Sequence, residues 1–180
     1  MANNWFLTGQ PGVGKSTIIY QLANQLEAEG LRPGGLVSPE ISDGGSRAGF
    51  HVRDLLTGRT EVMAHKQGES PMRVGQYKVM AHNIDAICSE AFPYAFQQAD
   101  VILVDEIGPM ELYSQGFKHF VKQAVEQPVP LLAVIHQKAR ASFIRELKKQ
   151  SRAEPWQVTE TNRDELPSAI LNEFRKVLKK

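Results

Sequence analysis

The chain has 180 residues, 42% of them hydrophobic and 23% charged, with a net charge of +1. That is about one domain's length, enough to bury a core without staples and too apolar for a disordered chain. No run approaches the ~18 apolar residues of a membrane span, the first residues lack a signal peptide's basic region and apolar run, and one cysteine, Cys88, excludes an internal disulfide. The expectation is a single domain over 1–180 in a reducing, cytoplasmic setting. From His136 onward 11 Lys/Arg stand against 6 Asp/Glu, while the residues before it carry 10 against 14. Such a basic C-terminal third suits contact with phosphates or nucleic acid; a set of solvated helix faces is the plainer reading.

In chain order, Trp5–Thr8 reads as a strand and Lys15–Glu29 as a helix, with Ile18, Leu22 and Leu26 on one face and Gly30 ending it. Between Gly34 and Gly75 the rhythm breaks. With Gly30, this segment takes nine of the 14 glycines, and Ser42-Asp43-Gly44-Gly45 is a turn signal between strand-like runs. An antiparallel hairpin of Leu36–Ile41 with Ala48–Leu55 is expected there. Cys88 lies in an Ala-rich helix. Val101–Val104 and Leu131–Ile135 read as buried strands, apolar on both faces as parallel strands are. Helices are expected at about Gly116–Glu126 and Arg140–Gln150. A last strand around Trp156–Thr159 leads into a helix ending near Val177–Leu178. Apolar runs alternating with amphipathic stretches predict an α/β fold, with a mostly parallel sheet flanked by helices and an antiparallel hairpin excursion after the first helix.

Gly9-Gln10-Pro11-Gly12-Val13-Gly14-Lys15-Ser16 fits G-x-x-x-x-G-K-[ST]. Glycines let the backbone turn so that several N–H groups point into one concavity, and the following helix adds its positive end. In this reading Lys15 meets the β and γ phosphates, the Ser16 hydroxyl ligates Mg²⁺, and Thr17 lies near the α phosphate. The motif sits between a strand and a helix, as a P-loop must.

Val101-Ile102-Leu103-Val104-Asp105-Glu106 is an apolar strand ending in two carboxylates. Asp105 at the tip suits a Mg²⁺ held through water. Glu106 suits polarising a water in line with the γ phosphate, a group that hydrolysis needs and transfer to a bound acceptor does not. Capping the next helix, or pairing with an arginine, is the alternative for Glu106.

Taken together, Gly9–Thr17, Ile41-Ser42-Asp43-Gly44-Gly45-Ser46-Arg47-Ala48-Gly49-Phe50 and Val104-Asp105-Glu106-Ile107-Gly108-Pro109-Met110-Glu111-Leu112 resemble the cancer-related nucleoside-triphosphatase family, small P-loop proteins of archaea, bacteria and animals. Val158-Thr159-Glu160-Thr161-Asn162-Arg163-Asp164 is similar to that family's closing motif, so the resemblance runs from about residue 4 to about 175. It implies a RecA-like core and Mg²⁺-dependent hydrolysis of nucleoside triphosphates, ATP, GTP and others, with broad base tolerance. The chain departs from the family at Val74–Val79, where an acidic residue is frequent and Gln76 cannot act as one.

Lesser candidates remain open between two roles. Arg47, among glycines on the hairpin, is placed to neutralise charge on the γ phosphate or is simply a turn residue. Arg53, Arg59 and Arg73 are weaker candidates of the same kind. His136, at the end of the Leu131–Ile135 strand, and nearby Lys138 and Arg140 are in reach of phosphate or only solvated. Asn162 and Arg163 follow the last strand, where base contacts are expected, yet Asn162-x-x-Glu165 also makes a capping box. The oligomeric state stays open. The rivals to a slow hydrolase acting on free nucleotide are a nucleotide or small-molecule kinase and an NTP-switched nucleic-acid-binding protein.

Overall fold

The structure, a computed structural model, describes residues 3–137, 139 and 141–178; Lys138 and Arg140, the two candidates beside His136, lie outside the described residues. The short apolar runs pair in parallel. Strand β1 (Asn4–Gly9) lies between β10 (Trp156–Val158) and β9 (Leu131–Ile135); β9 pairs β8 (Val101–Ile107), and β8 pairs β2 (Pro33–Val37). Strands β1, β9 and β8 have apolar residues on both faces because helices cover both, the condition that parallel sheets require, while β10 at the edge turns Gln157 outward.

Alternation along the strands sorts the core into two layers. Val101 and Leu103 join Leu132, Val134 and Leu7 under α1 (Lys15–Ala28) and α5 (Leu166–Leu178). Ile102 and Val104 join Ala133, Ile135 and Phe6 under α2 (Ala81–Gln98), α3 (Gln115–Glu126) and α4 (Ser142–Lys148). Period-2 side-chain geometry turns one stretch of chain into the floor of both layers.

Beyond β2 the sheet turns antiparallel through β4 (Ser46–Asp54), β5 (Thr60–His65), β7 (Tyr77–Val79) and β6 (Arg73–Val74), with β3 (Glu40–Asp43) also on β4. The excursion is therefore larger than a hairpin, and the expected strand Leu36–Ile41 is divided. Leu36 and Val37 belong to β2, whose pairing with β8 ends at Val37 and Asp105. Pro39, which has no N–H to donate, separates it from β3 and instead accepts from the His51 N–H at 2.8 Å. The helix expected at Arg140–Gln150 is shorter, Ser142–Lys148, and the last strand stops at Val158, one residue before the turn that holds Thr159.

Candidate active site

Strand β1 delivers the chain at Gly9 to a turn that α1 leaves at Lys15. Gly12 and Gly14 adopt positive φ, 76° and 114°, values that side chains with a Cβ rarely take. Gly14 is the N-cap of α1 and offers no side chain to its first N–H groups, and the first turn holds no acidic residue. Those N–H groups and the helix dipole are thus left for an anion. Lys15 folds over the loop, its Nζ donating to Gly9 O at 2.6 Å and to Gln10 O at 2.9 Å. Partial burial lowers its pKa, while the nearby Glu106 and Asp105 carboxylates pull it up.

Two strand spacings separate β1 from β8, because β9 lies between them. At about 4.8 Å per spacing the main chains of β1 and β8 are roughly 10 Å apart, a distance that the Ser16 and Asp105 side chains bridge. Asp105 continues the Val101 and Leu103 face, toward α1. There the Ser16 hydroxyl donates to its carboxylate. Asp105 is 6% exposed, and burial raises its pKa against the Ser16 bond and the Lys15 charge.

Glu106 is next in sequence, and its Oε1 would stand 2.8 Å from a Cβ on Gly108. The Asp105–Glu106 peptide is cis, and the pairing of β8 with β9 shifts register between Val104 and Ile107. Burial, reinforced by Asp105 and opposed by Lys15, raises the Glu106 pKa to about 7. No lysine or arginine among the described residues forms an ion pair with it. Glu106 is therefore neither a helix cap nor half of an arginine pair among these residues: α3 is capped by the Ser114 side chain, which accepts from Phe117 N–H.

Glu111 is the site residue that motif reading passed over. It sits in a single 3₁₀ turn, Glu111–Tyr113, and is 5% exposed. Burial first and the Glu106 charge second raise its pKa to about 8. Hydropathy alone would put a glutamate in water. The available signal was its place in a stretch otherwise made of Ile107, Gly108, Pro109, Met110 and Leu112.

Arg47, by contrast, is engaged on the hairpin: it is paired with Glu40 and lies over the Phe50 ring, 5.3 Å from its centroid. Arg59 pairs with Glu61 and Glu90, and Arg73 and Gln76 sit exposed around the β6–β7 turn. Arg53 is better placed than its sequence ranking implied. Asp105 aligns with Val37, and Val37 with Arg53, so all three share one sheet face. Tyr20, one helical turn past Ser16 on α1, responds electrostatically to both Asp105 and Arg53. His136 follows β9, between the loop and β8, and its N–H donates to Ile107 O at 3.2 Å.

On the opposite flank, Arg163 donates to Val13 O at 3.2 Å, and its Cδ packs 3.5 Å from where a Cβ of Gly14 would be. Asn162 does not use its side chain to cap α5. Its Oδ1 accepts from Thr159 N–H and its Nδ2 donates to Gln157 O, both at 2.8 Å, closing a turn between β10 and α5. That turn holds Arg163 against the phosphate loop.

The NTPase family model matches residues 4–171. The chain is 40% identical over 174 residues to nucleoside-triphosphatase THEP1 of Thermofilum pendens, covering 96% of each chain. It is 39% identical over 172 residues to the protein of that name in Methanopyrus kandleri, covering 95% of this chain and 94% of that one. Its fold matches the crystal structure of THEP1 from Aquifex aeolicus with a TM-score of 0.82 at 28% identity, over 94% of this chain and 97% of that chain. It also matches the solution structure of a human cancer-related nucleoside triphosphatase with a TM-score of 0.78 at 31% identity, over 94% and 95%.

Proposed function

The chain belongs to the NTPase family and is a nucleoside-triphosphatase of the P-loop fold, and we propose that it hydrolyses NTPs slowly, with Mg²⁺ and little regard for the base, at the site formed by Gly9–Thr17, Asp105 and Glu106. One observation carries this reading: two adjacent carboxylates close the tip of β8, one bonded to Ser16 and the other free of any ion pair among the described residues and with its pKa raised to about 7.

The Ser16 hydroxyl and the Asp105 carboxylate are hard oxygen donors, as Mg²⁺ prefers, and they already touch. No group of three or more His, Cys, Asp or Glu among the described residues forms a metal cage. That fits an ion which keeps several waters and takes its remaining ligands from substrate phosphates. Bound there, Mg²⁺ would neutralise charge developing on the phosphates.

The protein's own residues do the rest. The N–H groups of the loop and of the α1 start solvate phosphate oxygens. Lys15 exchanges its bonds to Gly9 O and Gln10 O for phosphate oxygens, which makes it both ligand and latch. Glu106 orients a water and takes its proton as the water oxygen bonds to the γ phosphorus, and the bond to the bridging oxygen breaks. A carboxyl with pKa near the working pH is effective in that role.

Arg163, held beside the loop, offers a guanidinium plane that stacks on any base. Strict selectivity comes from buried groups left unpaired by the wrong ligand, and the Asn162 amide is already spent on Gln157 O and Thr159 N–H. Turnover below the enzyme median of roughly 10 s⁻¹ is expected, since an arginine finger is worth about 10³–10⁵ in rate and Arg47 is engaged with Glu40. No helix among the described residues is long and apolar enough to cross a membrane, and a buried lone thiol at Cys88 suits a reducing cytoplasm.

The test is phosphate release from the common NTPs and dNTPs, with and without Mg²⁺, acceptor nucleosides, and DNA or RNA. Mg²⁺-dependent release without acceptor, varying less than roughly a hundredfold in kcat/KM across bases (about 2.7 kcal/mol), supports the reading. Acceptor-dependent transfer, or release only with nucleic acid, overturns it in favour of a kinase or a nucleic-acid switch.

A further inference from the structure

No step proposed above uses the Glu111 carboxyl. Burying it is unfavourable, and an amide or apolar side chain of the same shape would fill the place with less desolvation. Its position is fixed by backbone: the N–H groups of Gly108 and of Glu111 itself donate to it. The turn that carries it is anchored in turn. Leu112 N–H donates to Gly108 O at 3.1 Å and Ser114 N–H to Glu111 O at 3.0 Å. The Ser114 hydroxyl donates to Asp85 Oδ1 at 2.5 Å, and Gly116 N–H donates to the same oxygen at 2.9 Å. A continuous set of hydrogen bonds thus ties α2 to the start of α3 and to the turn that holds Glu111.

That fixed carboxyl adjoins Glu106. A Cβ on Gly108 would lie 2.8 Å from Glu106 Oε1 and 3.1 Å from Glu111 Oε2, both closer than ordinary contact. The two carboxyls therefore occupy adjoining sides of one small space, kept open because residue 108 has no side chain. Glu106, unlike Glu111, accepts from no backbone N–H among the described residues. Three rotatable bonds leave its direction to whatever walls surround it.

We propose that Glu111 is a positioning residue for hydrolysis: its backbone-held carboxyl forms the back wall of the slot, across Gly108, in which Glu106 sits, and so sets the direction from which Glu106 meets the attacking water. This rests on Glu106 being the water-orienting group. A misplacement of about 1 Å at a reacting group lowers rate by up to about a hundredfold, which sets the scale expected for removing the wall.

The experiment is a double-mutant cycle between positions 111 and 106, read by single-turnover hydrolysis of ATP and by equilibrium binding of a fluorescent triphosphate. E111A is expected to lower the rate about 10–100-fold with affinity unchanged within about threefold. E111Q, which restores the shape, should recover at least half of that loss on a logarithmic scale. The E106Q/E111A double variant should be no slower than E106Q, because a residue acting only through Glu106 has nothing left to act on. Losses that multiply, or a loss in affinity with the rate unchanged, overturn the proposal. If E111A does not fold, G108A carries the same cycle, its added methyl intruding between the carboxyls: a slower rate in the wild-type background and no further slowing with E106Q support the wall, and slowing in both backgrounds overturns it. E106Q turning over at the wild-type rate overturns this proposal together with the assignment of Glu106. A slow E106Q beside a wild-type E111A overturns the positioning role alone.

Discussion

Changing Glu106 to Gln keeps the side chain's size and one acceptor oxygen but removes its ability to take a proton. With its pKa raised to about 7 by burial and by Asp105, about nine-tenths of the group is ionised at pH 8 in the free protein. General-base contributions of roughly 10²–10⁴ in rate correspond to about 2.7–5.5 kcal/mol. Because the Gln oxygen can still orient the water, the lower half, about 10²–10³, is the expected loss. Rapid mixing with enzyme in excess over γ-labelled ATP measures the chemical step, and triphosphate affinity is measured in parallel. The rate should collapse while affinity stays within about threefold, since in the proposed role Glu106 meets the water and not the phosphates. The sign of the pH effect is fixed as well. The ionised form is the active one and the folded pKa is raised, so wild-type rate rises with pH through about 7 and levels above it. That limb should vanish in E106Q. Hydrolysis within threefold of wild type, or an unchanged pH limb, refutes the assignment.

Lys15→Ala removes charge-assisted bonds worth about 1.5–3 kcal/mol, so triphosphate affinity should fall about 10–150-fold by titration, with diphosphate affinity falling less. Asp105→Asn should raise the Mg²⁺ concentration needed for half-maximal activity by about tenfold, more than it changes affinity for free nucleotide; an unchanged Mg²⁺ titration removes Asp105 from the metal site. Arg53→Ala should lower kcat/KM about tenfold, roughly 1.4 kcal/mol, whereas Arg47→Ala breaks an exposed pair worth at most about 1 kcal/mol of stability and should leave kcat within about threefold. A thousandfold loss in Arg47→Ala would make it the arginine finger. The Glu111 carboxyl, raised from an ordinary 4.5 to about 8, stays protonated in the folded state over a range where the unfolded chain ionises. Folding stability is then lost as pH rises from about 4.5 to 8, by up to about 1.4 kcal/mol per unit. Urea unfolding at pH 5 and pH 8 should show this loss in wild type and a smaller one in E111Q; parallel losses would contradict it.

Legibility followed the distance over which each feature is determined. The phosphate loop is local turn chemistry, with positive φ at Gly12 and Gly14 and a helix start at Lys15, so its residues were readable as a string. Asp105 and Glu106 were readable as the polar end of an apolar strand. The cis peptide between them and the shifted pairing of β8 with β9 depend on the assembled sheet and leave no mark in the sequence. The relative merit of Arg47 and Arg53 depends on the register of β4 against β2 and β3, and on the shift at Phe50 and His51 where β4 pairs with β5, and no short window contains it. Pro39 lies inside the expected strand Leu36–Ile41 and breaks it, because it has no N–H for the ladder. Asn162 and Glu165 fit a capping box, but the Gln157–Asn162 turn competes for the same amide and wins. Glu111 was hidden by its own chemistry: charge predicts exposure, and only the assembled α2 and α3 layer reveals otherwise.

The tip of β8 has a consequence for how such a protein can be tuned. Asp105 answers to the layer of α1 and α5, which also carries Lys15, Ser16 and the flank of Arg163. Glu106 answers to the layer of α2 and α3, through Gly108, Glu111 and the Asp85–Ser114 bonds. Lys15 is coupled in charge to both carboxylates, so in the proposed roles grip on the nucleotide and speed of its cleavage meet at the tip of one strand. On this reading, substitutions or a binding partner that press on the turn of Gly108 and Glu111 would reach the cleavage step first, while changes on the α1 side would act on occupancy and, through Lys15, on the rate as well.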